Sequence, residues 1–79
     1  MMTTQASQLR TGSLVHIPSA VSLVARCDEG YAYEIVTTKK PTLGVYIGPS
    51  VAEENCSVVL YSGRKWEAFS NALYPIDEH

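Results

Sequence analysis

Apolar positions along this chain come in short runs separated by turn residues. Gly12, Pro18, Gly30, Pro41, Gly48-Pro49, Gly63 and Pro75 cut it into pieces of roughly five to ten residues, the length of strands. Leu14-Val15-His16-Ile17 is apolar, β-branched and stopped by Pro18, as a strand end should be. Val21 to Arg26 admits two readings. Ser19 suits the N-cap of a helix carrying Ala20, Val21, Val24 and Ala25 on one face with Gly30 beyond its end. Brevity and the β-branched Val21 and Val24 favour a strand, which is the expectation. Tyr31 to Thr38 alternates, with Tyr31, Tyr33, Ile35 and Thr37 on one face and Ala32, Glu34, Val36 and Thr38 on the other. Cys27-Asp28-Glu29-Gly30 before it reads as a hairpin turn and Lys39-Lys40-Pro41-Thr42 after it as another. Leu43 to Ile47 is a strand in which Gly44 predicts a bulge or sharp bend.

Gly48 to Asn55 is the longest connection. Ser50-Val51-Ala52-Glu53 has capping-box spacing for a single helical turn, and a solvated acidic loop fits Glu53-Glu54 equally well. Val58 to Tyr61 and Trp66 to Phe69 flank Ser62-Gly63-Arg64-Lys65, the strongest hairpin signal in the chain. Ser70-Asn71-Ala72 has the length of one 3₁₀ turn, and Leu73-Tyr74-Pro75-Ile76 returns as a short last strand. Pro75 cannot donate to a ladder, so that strand must lie at an edge or have its proline outside the pairing. Five to seven short strands with at most one or two helical turns describe an all-β, small and strongly bent barrel.

Composition limits what this sheet can be. With 79 residues and 8.7 kDa there is material for one domain. The organisation expected is a flexible polar N-terminus over 1–8, the barrel over 9–76 and a solvated tail over 77–79. At 46% apolar and 18% charged, the chain is too hydrophobic for intrinsic disorder. Its formal net charge of −2 gives polyphosphate no general attraction, and Lys39-Lys40 and Arg64-Lys65 are the only adjacent basic pairs. It has no apolar run of the ~18 residues needed to span a membrane, and the stretch from Met1 to Gly12 lacks the apolar region of a secretory signal. The expected location is the cytoplasm, where Cys27 and Cys56 are reduced, small, buried residues. His16 is the only histidine inside the folded region, and no spacing ties it to a nucleophile. No His/Cys/Asp/Glu cluster has metal-ligand spacing, so neither catalysis nor a cofactor is expected.

Four segments carry a resemblance: Leu14-Val15-His16-Ile17-Pro18, Gly44-Val45-Tyr46-Ile47-Gly48, Val59 to Trp66, and Leu73-Tyr74-Pro75-Ile76. Their order resembles the SH3-like barrel superfold, including its Sm and LSm branch. More narrowly, the chain from Leu9 to Ile76 is similar to small proteins of tailed cyanophages, which would make the host cytoplasm its location. The resemblance implies a bent barrel whose edge strands pair with the next subunit, an arrangement that can close a ring. It implies RNA binding less directly, because the second Sm motif places arginine before glycine and this chain reads Ser62-Gly63-Arg64.

A small domain has an independent motive to self-associate, since it buries only about 60% of its unfolded surface. The expected function is a non-enzymatic binding or scaffolding module that forms homo-oligomers. Its seam is expected on unpaired edges at Val58 to Tyr61 and Leu73 to Ile76, with Val58, Leu60, Tyr61, Leu73, Tyr74 and Ile76 as contact residues. The alternative is an RNA or other nucleic-acid binder using Arg64, Lys65, Lys39, Lys40 and the aromatic Trp66. A protein or peptide partner laid across Tyr and Trp side chains is a third possibility.

Overall fold

The short runs become seven strands in a computed structural model that describes residues 9–26 and 33–76. They are β1 (Leu14–Ile17), β2 (Ser22–Arg26), β3 (Tyr33–Thr37), β4 (Thr42–Pro49), β5 (Cys56–Tyr61), β6 (Arg64–Phe69) and β7 (Tyr74–Pro75). Every pairing is antiparallel. The order across the sheet is β3-β2-β6-β5-β4-β1-β7. Strands β4, β5 and β6 are consecutive hairpins in the middle. β2 reaches β6 through the pair Val24 and Glu67, and β1 lies between β4 and β7. The sheet bends around its own core and does not close, so among the described residues β3 and β7 are its two free edges.

Alternation assigns the inner face. Val15, Ile17, Leu23, Ala25, Tyr46, Val59, Trp66, Ala68 and Leu73 form one buried core. Four of them, Ile17, Leu23, Val59 and Leu73, are wholly excluded from solvent. Residues 22–26 are a strand, not a helix: its inward Leu23 and Ala25 are two apart, the spacing that puts both on one face of a strand. The turn expected at Cys27 to Gly30 and the start of the alternating segment at Tyr31 lie outside the described residues.

Gly44 is not the site of the bulge. It pairs regularly with Val15, and the register of β4 against β5 slips three residues on, between Tyr46 and Gly48. Gly44 instead lets two strands approach: a Cβ there would stand 3.1 Å from Ile17 Cδ1 and 3.1 Å from the Leu60 carbonyl oxygen. The β5–β6 turn is tighter than expected, with Ser62 (φ 55°) and Gly63 (φ 80°) as the only two loop residues. Both φ values are positive, as a type I′ turn requires, so Arg64 and Lys65 belong to β6.

The connection after β4 is a capped turn without a helix. Ser50 Oγ accepts from the amides of Ala52 and Glu53, each at 3.1 Å. Ser70–Ala72 forms the expected 3₁₀ turn, and β7 is an edge strand bonded to β1 alone, with Pro75 in it.

Candidate interaction surfaces

Residues opposite the core populate the outer face, and many are apolar. Register places Leu14, Val45, Leu60 and Lys65 in one row across β1, β4, β5 and β6, and Tyr74, His16 and Leu43 in the next. Leu14 is 42% exposed, Leu43 51%, Leu60 39%, Tyr74 44% and Ile76 37%. An antiparallel sheet with one solvated face ordinarily turns polar residues outward. His16 contributes an edge-on contact to this surface, its ring 6.2 Å from that of Tyr74, and so ties β7 to β1.

Of the two expected edges, the one at β7 stands and the one at β5 does not. β5 is bonded on both sides, to β4 and to β6, so Val58 to Tyr61 offers no unpaired backbone. The expectation of an edge there fails because β5 pairs with both of its neighbours in sequence, β4 and β6. Leu73 is also misplaced as a contact residue, being fully buried in the core. Of the six expected contact residues, Leu60, Tyr74 and Ile76 are exposed, while Val58 and Tyr61 are half-buried. The second free edge is β3, where Glu34, Ile35, Val36 and Thr37 are all exposed.

At the end of β3 the chain makes a groove of about 390 Å³ between the β3–β4 connection and the β5–β6 turn. Its lining includes Val36, Lys39, Lys40, Tyr61, Ser62 and Trp66. Thr38 fastens its base: the hydroxyl donates to the Pro18 carbonyl at 2.7 Å and accepts from the Val21 amide at 3.0 Å. Its main chain adds bonds to Val21 and Ala20, which holds Ala20 at the positive φ of 65°. Among the described residues no buried side-chain nitrogen or oxygen lacks a partner. The floor therefore makes no unmet polar demand, and what the groove offers a ligand is apolar surface with two lysines on the rim.

The basic residues do not converge. Arg64 lies over the Trp66 ring, 4.8 Å from its centroid, and forms an ion pair with Glu34. Trp66 is 5% exposed and donates its indole N–H to the Tyr61 carbonyl, so no base can stack on it. Lys65 stands on the outer face beside Leu60. Only Lys39 and Lys40 share the groove. Strand alternation contains the signal for this arrangement, since Arg64 and Trp66 are two apart on one strand and must share a face.

Among the described residues no group of three or more His, Cys, Asp or Glu is placed to hold a metal ion, and no helix is long and apolar enough to cross a membrane. Cys56 is half-buried on β5, and Cys27 lies outside the described residues. No protein family, no curated protein and no solved structure matches this chain.

Proposed function

We propose that this protein is a non-enzymatic β module of SH3-like or Sm-like type that assembles with copies of itself and serves as a scaffold or binding platform. The observation that carries the reading is the apolar outer surface of Leu14, Leu43, Leu60, Tyr74 and Ile76, which runs up to the open edge at β7. Solvated apolar rows beside unpaired backbone favour association, both by hydrophobic burial and by strand addition. On this reading it works in the cytoplasm, that of the host if the chain is phage-encoded.

The test is sedimentation velocity across a concentration series. The chain is expected to sediment as an oligomer, and Leu43→Ser with Leu60→Ser to shift it to monomer while circular dichroism stays that of a sheet. An 8.7 kDa species at every concentration would overturn the proposal. A second reading, RNA binding, is supported by Lys39 and Lys40 beside Tyr61. It requires affinity for uridine-rich RNA that rises as salt falls.

A further inference from the structure

We infer that copies of this chain join head to tail, with the acidic segment after β7 of one copy seated on the Lys39-Lys40 groove after β3 of the next. The inference rests on the self-association reading and specifies its contact. The sheet ends in two different strands, so a contact that uses both free edges is heterologous: each copy offers β7 to one neighbour and β3 to another.

Charge then chooses the direction. β3 ends at Thr37, and Lys39 and Lys40 follow two and three residues later. β7 ends at Pro75, and Asp77 and Glu78 follow at the same two spacings. A parallel contact of the two edges thus sets the acidic pair of the sequence at the same end as the basic pair. Laid antiparallel, the acidic pair meets instead the start of β3, where Glu34 already holds Arg64 in an ion pair and Lys39 and Lys40 are at the opposite end. Only the parallel orientation therefore gains opposite charges, and it is the favoured one.

The apolar residues supply the affinity. Ile35 is 57% exposed and Val36 36% on the receiving edge, against Tyr74 at 44% and Ile76 at 37% on the entering one. Exposed ion pairs contribute little by themselves, so the lysines act as a register device on a hydrophobic contact. Heterologous contacts of this kind close into a ring or continue as a filament, according to the rotation between neighbours.

The test is charge exchange on the full-length chain, read by sedimentation velocity at low and moderate salt. Lys39→Glu with Lys40→Glu, and separately Asp77→Lys with Glu78→Lys, are each expected to weaken association about tenfold or more. Mixed in equal amounts, the two proteins are expected to reassemble, because each groove then meets a tail of opposite sign. Circular dichroism verifies that both variants keep the sheet. Wild-type assembly with variants that associate equally well, or a mixture that stays apart, overturns the inference and leaves self-association standing. A monomeric wild type overturns both. Loss of RNA affinity in Lys39→Glu with Lys40→Glu, with assembly unchanged, assigns the groove to nucleic acid and also overturns it.

Discussion

The two faces of this sheet are built from similar side chains and have opposite fates. On β1, Val15 and Ile17 are almost wholly buried, while Leu14 between the same neighbours remains 42% exposed. On β4 and β5 the contrast repeats, with Tyr46 and Val59 inside and Leu43 and Leu60 outside. Hydrophobicity alone does not separate the two sets. Curvature does, because the concave side is covered by the sheet's own distant strands and the convex side has nothing among the described residues to cover it. An apolar residue on the convex side adds little to the fold of a single copy, and its effect belongs to whatever covers it.

That contrast predicts a graded set of effects. Ile17→Ala or Leu23→Ala removes a fully buried side chain and is expected to cost about 2–5 kcal/mol in urea denaturation, enough to unfold much of so small a domain. Gly44→Ala inserts a methyl against Ile17 and the Leu60 carbonyl, and a loss of about 1–3 kcal/mol is expected from overpacking. A neutral result would mean that the β1–β4 seam relaxes freely. Leu43→Ser, at the adjacent position of β4 on the other face, is expected to change monomer stability by no more than about 0.5 kcal/mol while weakening association. A large stability loss there would erase the distinction between the faces. Ala20→Gly is expected to give a small gain: a left-handed alanine costs about 1–2 kcal/mol. Added freedom of the unfolded chain takes back about 0.4–1 kcal/mol of it. Arg64→Ala should have the least effect, within about 0.5 kcal/mol, since its partner Glu34 is 58% exposed and the pair is well solvated.

Local features of the fold were legible before the structure. Alternation, β-branching and the placement of glycine and proline identify the strands, the Ser62-Gly63 turn, the 3₁₀ turn and the edge position of Pro75, because each depends on residues close in sequence. Strand neighbours over long separations were not legible. β2 meets β6 through residues 24 and 67, and no short-range pattern encodes that pairing. The misplaced edge at Val58 to Tyr61 follows from the same blindness, since a run of β-formers reads alike at an edge and in the middle of a sheet. Of the candidate site, the basic pairs were visible and their geometry was not. Arg64 is engaged by Glu34, thirty positions away, and Thr38 secures the groove through Pro18 and Val21, whose partnership only the folded chain creates.

The placement of Trp66 has a practical consequence. It is the chain's single tryptophan, it lines the Lys39-Lys40 groove, and its side chain is almost wholly buried. Its fluorescence is thus a label-free gauge of that groove, free of interference from any second indole. Whatever settles against the ring there will alter the emission, so titration with a candidate occupant reports occupancy without modifying the protein.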